Sequence, residues 1–255
     1  MSHKAMELFD AHTHTVGKST QIPFYVLSGF DLESSRNAVA YVRGRREGYA
    51  SVGFHPLFLP SVAVPRDEVL SQLTALMKSP EVKAVGEIGL DYRRDSGDRE
   101  KQIDWFRLQL RLAIRLKKPV ILHIVKAFGD AQRILEEEGA FEQKNSVLLH
   151  SFSGSVEMAV HLVNRGAKIS LGPTLMDPKN QKIRTVVTGL SPEHMLIETD
   201  AEFESPKGIE SGEDSLTILE SIVQRIAKLK GLPLDELRHQ IFENTKQFYR
   251  IGTEE

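Results

Sequence analysis

Phe9-Asp10-Ala11-His12-Thr13-His14-Thr15, FDAHTHT, sets two histidines two residues apart directly after a short apolar run. On a strand, side chains two apart share a face, so the two imidazoles aim at one point. Apolar runs of the same kind recur along the chain. They are Leu8-Phe9, Pro23 to Leu27, Tyr49 to Gly53, Val82 to Gly86, Pro119 to Leu122, Val147 to Leu149, Ala167 to Ser170 and Met195 to Ile197. Several are nearly continuous in apolar character, as parallel strands covered on both faces are.

The stretches between these runs read as helices. Gln102 to Leu116 carries Ile103, Phe106, Leu110, Ala113 and Ile114 at helical spacing. Ser215 to Leu229 and Leu234 to Phe248 have the same character. Strands alternating with helices predict a parallel sheet, and eight such units predict a TIM-type (β/α)8 barrel. The few residues between His14 and the second run predict a first helix that is short or missing. No repeat, low-complexity tract or Pro/Gly-rich linker divides the chain, so residues 1–255 are expected to form a single barrel domain.

In such a barrel the C-terminal strand ends form the active face. The polar residues at the ends of the runs are His12 and His14, His55, Glu87, His123, His150, and Glu198 with Asp200. Imidazole and carboxylate donors suit Zn²⁺, Mn²⁺ or similar ions. His12, His14, Glu87 and Asp200 suffice for one metal. His123 and His150 add a second if Glu87 bridges, and two ions could clamp a water and a substrate oxygen. A lone His-x-His carries little weight; ligand-type residues at the same ends of five strands carry much more. His55, Lys126 and Asp91 are the candidate substrate-side residues. Lys126 offers a point charge to a phosphate. Asp91 is equally suited to orienting a ligand or capping the next element.

The bulk composition narrows the class. The chain has 255 residues, 40% apolar and 27% charged, as soluble globular proteins do. A net charge of −2 supplies no overall field for nucleic acid, so any such contact must be local. Cysteine is absent, which excludes disulfides and thiolate ligands. No apolar run approaches the roughly 18 residues of a membrane span, and the start MSHKAMELFD lacks a secretory apolar stretch, so no membrane association and a cytoplasmic location are expected.

FDAHTH, GFHP, AVGEIGLDY, PVILH, LLHSFSGS and LIETDA, in that order, resemble the TatD family of metal-dependent hydrolases, from Phe9 to Phe248. The resemblance implies an amidohydrolase-like barrel with a divalent metal centre and DNase activity, in some members a 3′→5′ exonuclease. It implies His12, His14 and Asp200 as ligands of one metal, Glu87 as the bridge, and His123 and His150 as ligands of the second. The counterpart of Asp200 in the family also lies beside the attacking water, which makes Asp200 the expected catalytic base. The sequence departs from the family after His123, where Lys126 stands in place of an arginine motif, and after Ala201, where an acidic segment from Glu202 to Asp214 would repel a polyanion. The expected function is therefore hydrolysis of a phosphodiester, with DNA as the expected substrate, by a metal-activated water. The alternatives are hydrolysis of a small ester or amide, and metal binding without catalysis.

Overall fold

The computed structural model describes residues 7–15, 24–61, 65–142, 146–201 and 214–252. The eight strands fall on the eight apolar runs: β1 Phe9–Thr13, β2 Phe24–Ser28, β3 Gly48–Val52, β4 Val82–Asp91, β5 Val120–Val125, β6 Val147–Leu149, β7 Lys168–Leu171 and β8 Met195–Ile197. They belong to one sheet in chain order. The pairs β3–β4, β4–β5, β5–β6 and β7–β8 are parallel.

The helices are α1 Leu32–Val42, α2 Arg66–Met77, α3 Arg99–Arg115, α4 Phe128–Glu137, α5 Val156–Val163, α6 Gln181–Gly189, α7 Ser215–Lys230 and α8 Leu234–Tyr249. Strand and helix alternate from β2 onward, and the fold is a TIM-type (β/α)8 barrel. The expected short or missing first helix falls on residues 16–23, which lie outside the described residues, as does the acidic segment 202–213.

The chain divides into two compact units, Met1–Val26 with His150–Glu255, and Leu27–Leu149. In the first, β1 is buried along its whole length. The Phe9 ring stacks on Tyr249 of α8 at 6.1 Å, and the Tyr249 hydroxyl donates to the Ala11 carbonyl at 2.6 Å. In the second unit, α3 buries Trp105, Phe106, Leu110 and Ala113. Two glutamines share that buried face. Gln102 accepts from the Asp91 N–H at 2.8 Å and donates to the Asp91 carbonyl at 3.0 Å; Gln109 does the same for Phe54 at 2.7 and 3.1 Å. The helix thus fixes the end of β4 and the turn after β3 through buried amides that each bond both backbone groups of one residue.

β4 is the longest strand, and its register against β5 shifts between Val85 and Ile88, around Glu87. Such an irregularity redirects a side chain out of the strict alternation. Gly89 follows at φ +145°, and a Cβ there would lie 2.0 Å from the His123 carbonyl oxygen. Only glycine permits β4 and β5 to approach so closely beside the site.

Candidate metal centre

Two sets of ligand-type side chains lie in the first unit. His12 is fully buried at the end of β1, and His14 follows the strand. Their Nε2 atoms are 3.2 Å apart, and His12 Nε2 is 3.6 Å from Asp200 Oδ1. Two nitrogens bound tetrahedrally to one zinc at ordinary bond lengths are about 3.3 Å apart, so the pair has the spacing of two ligands of one ion. His14 N–H donates to the Ala201 carbonyl at 3.1 Å, and Asp200 N–H to the His12 carbonyl at 3.0 Å, which ties β1 to the chain after β8.

The second set is His150, Glu198 and Asp200, whose donor atoms fall within 4.8 Å of one another. His150 Nδ1 is 3.9 Å from both Glu198 Oε1 and Asp200 Oδ1. Glu198 accepts from the Ser151 N–H at 2.6 Å, and burial pushes its carboxyl up to about 8. Beneath both sets, Asp10 is buried and accepts from the Thr199 N–H at 2.9 Å and the Thr199 hydroxyl at 2.6 Å. Burial raises the Asp10 carboxyl to about 7 against the pull of those bonds.

The second unit holds a third set, His55, Glu87 and His123. His123 Nδ1 lies 2.8 Å from Glu87 Oε1, and its Nε2 lies 3.0 Å from Asp91 Oδ2. Arg93 Nε reaches both Asp91 oxygens, at 3.0 and 2.9 Å. Burial alone would raise the Asp91 carboxyl, but the bonds from His123 and Arg93 hold it well below the usual carboxylate range. A carboxylate behind a histidine, with the other ring nitrogen turned to the donor cluster, fixes both tautomer and ring orientation. Asp91 has no exposed side-chain surface, so its geometry is that of an orienting residue rather than of a substrate contact.

The Leu57 N–H donates to His55 Nδ1 at 3.1 Å, which leaves the ring proton on Nε2, 3.5 Å from Glu87 Oε1. With Nδ1 occupied, Nε2 is the ring nitrogen that His55 turns to the cluster. Lys126 is exposed directly after β5. It has φ +54°, Ser151 +43° and Asp200 +47°; three of the six described non-glycine residues at positive φ thus stand just beyond strand ends. Each such conformation costs about 1–3 kcal/mol, and such residues gather at functional sites.

The donor chemistry fits divalent ions: every set mixes imidazole with carboxylate in buried or half-buried surroundings. Asp10 and Gln102 were not foreseen. The only trace of either is a polar residue inside an otherwise apolar strand or helix face.

A (β/α)8 barrel with His/carboxylate clusters at its strand ends defines a metal-dependent hydrolase class, and the comparisons with known proteins agree. The family described as TatD related DNase matches residues 7–250. The chain belongs to this family and is a metal-dependent hydrolase. It is 28% identical to YabD of Bacillus subtilis, an uncharacterized metal-dependent hydrolase, over 96% of this chain and 100% of that one. It is 30% identical to the 3′-5′ ssDNA/RNA exonuclease TatD of Escherichia fergusonii, over 89% of this chain and 87% of that one. The crystal structure of YJJV, a TatD homologue from Escherichia coli K12, superposes with a TM-score of 0.85 at 25% identity, covering 97% of this chain and 99% of that one. Among the described residues no helix is long and apolar enough to cross a membrane.

Proposed function

We propose that this hydrolase cleaves phosphodiester bonds of single-stranded nucleic acid, DNA in the first instance, and that residues 1–255 act as one barrel domain. His12, His14 and Asp200 would hold one divalent ion. His123 and His150 would hold a second, with Glu87 shared. The carrying observation is the convergence of His12 Nε2, His14 Nε2 and Asp200 Oδ1, with 3.2 and 3.6 Å between neighbouring donors. Zn²⁺ and Mn²⁺ suit the imidazole-rich donors, and carboxylates admit Mg²⁺ as well. When bound, such ions bring the pKa of water toward neutrality and draw charge from phosphate oxygens.

The chain's own groups do the rest. Asp200 takes the proton of the attacking water. Its carboxylate is partly exposed, on a residue held at positive φ. His55 Nε2–H donates to a phosphate oxygen, and Lys126 faces the growing charge as a point cation. Asp91 keeps His123 turned toward Glu87. The exonuclease name of the E. fergusonii relative supports the nucleic-acid substrate.

The test is metal content by mass spectrometry on the batch that is assayed. Stripped protein is reloaded with Zn²⁺, Mn²⁺ or Mg²⁺ and given single-stranded DNA, RNA and a chromogenic phosphodiester. About two ions per chain with metal-dependent cleavage is expected. In the double variant H12A/H14A, at least one ion and all hydrolysis should be lost. Bound metal without cleavage of any of these substrates would reject the phosphodiester reading, and hydrolysis by the double variant without metal would reject the metal centre.

A further inference from the structure

Leu57 and Phe58 are 41% and 50% exposed, and they are the one adjacent pair among the exposed large apolar residues of the described chain. They sit in the turn that carries His55. Phe30, from the end of β2, backs the Phe58 ring at 4.8 Å between centroids, and the His55 ring lies 5.6 Å away. The turn is pinned: Gln109 holds both backbone groups of Phe54, His55 N–H donates to the Phe30 carbonyl at 2.9 Å, and Phe58 N–H donates to the His55 carbonyl at 2.9 Å. Thus an aromatic ring stands on a pinned turn, against a second ring and half in water, next to a histidine whose Nε2 lies 3.5 Å from Glu87 Oε1.

We propose that Phe58, backed by Phe30, is a stacking platform for a nucleobase adjoining the phosphate held at the His55–Glu87–His123 cluster. This rests on the phosphodiester reading above. Two side chains are far too small a patch for a stable protein interface, which takes about 800 Å² per partner. A base offers a flat face of matching size, and such stacking tolerates any sequence because every base has a π face. The charge balance favours it as well. At a net charge of −2 the chain has no broad basic field to hold a polyanion, so affinity must come from local contacts. A preorganised ring beside the candidate ligands supplies one at little ordering cost.

The experiment pairs substitution in the protein with deletion in the substrate. Short single-stranded oligonucleotides carry either a normal nucleotide or an abasic residue on one side, then the other, of the scissile bond. Wild type, Phe58→Ala, Phe58→Leu and Phe58→Trp are compared by kcat/KM, with thermal melts to confirm folding. Wild type is expected to prefer the base-bearing substrate over the abasic one at one of the two positions by about 5- to 100-fold. Phe58→Ala and Phe58→Leu should lose that preference, and Phe58→Trp should keep it. Equal losses on base-bearing and abasic substrates, or an undiminished preference in Phe58→Ala, would overturn the proposal. If wild type cleaves no phosphodiester with any metal, the functional reading has failed separately. Fluorescence anisotropy of labelled oligonucleotides in Ca²⁺ then decides: a base preference in binding that Phe58→Ala removes upholds the platform, and its absence overturns it.

Discussion

His123 shows how one residue depends on a neighbour that touches no substrate. Its Nδ1 faces Glu87 at 2.8 Å while Asp91 holds the opposite nitrogen at 3.0 Å. Asn at position 91 keeps the shape but loses the charge that opposes Arg93 and polarises the ring. Asp91→Asn is expected to weaken metal affinity about 10–100-fold, measured by chelator competition; unaltered affinity would mean that Asp91 serves the fold alone. The histidines, Glu87 and Asp200 were legible in the sequence as ligand-type residues at strand ends, because few side chains offer such donors. For Asp91 the sequence left orienting a ligand and capping the next element side by side, and it did not show which ring nitrogen of His55 or His123 each neighbour occupies. That the Leu57 N–H finds its acceptor in His55 Nδ1 is a matter of turn geometry rather than residue type.

The close pairing of β4 with β5 sets Glu87 and His123 side by side. Gly89→Ala would drive a methyl into the His123 carbonyl at a residue with φ +145°. Overpacking of this kind costs about 1–3 kcal/mol, and the left-handed backbone adds to it. A lowered urea midpoint together with weaker metal binding is expected; a loss of stability that leaves metal affinity intact would show that the β4–β5 spacing does not set the ligands. On the other side of the sequence, Asp10 joins β1 to the chain after β8 through Thr199. Asp10→Ala leaves a buried N–H and hydroxyl without an acceptor, at a cost of about 1–3 kcal/mol. At roughly 2–4 °C per kcal/mol, the melting midpoint of the metal-free protein should fall by about 2–12 °C. Asp10→Asn, which can accept one bond and donate the other, should recover most of it. The helices α3, α7 and α8 follow the predicted stretches to within a few residues, because one apolar stripe repeats at helical spacing in each. The clamps by Gln102 and Gln109 were hidden in that stripe: in sequence, a buried glutamine looks like an interruption of the apolar face.

Across the whole molecule, ligands drawn from strands far apart in the chain make metal binding a property of the folded state. An ion that binds the native form alone adds about 2.7 kcal/mol of stability at a hundredfold excess over its dissociation constant. Adding Mn²⁺ or Zn²⁺ to stripped protein should therefore raise the melting midpoint by roughly 5–11 °C. H12A/H14A should respond less, by the share of the lost ion. An equal rise in that variant would place the stabilising ion elsewhere.

The sequence by itself determined the barrel and the ligand-type residues at its strand ends. Alternating apolar runs and amphipathic helices leave few ways to bury a core, and in a chain without cysteine imidazole and carboxylate are the side chains best suited to hold such ions. Tertiary structure alone decided how those residues are held: the 3.2 Å approach of His12 to His14, the partners that each ring nitrogen of His55 and His123 faces, and the buried acceptor Asp10 beneath the strand ends. These depend on separations of a few tenths of an ångström between groups far apart in the chain, and no local pattern of residues encodes such distances.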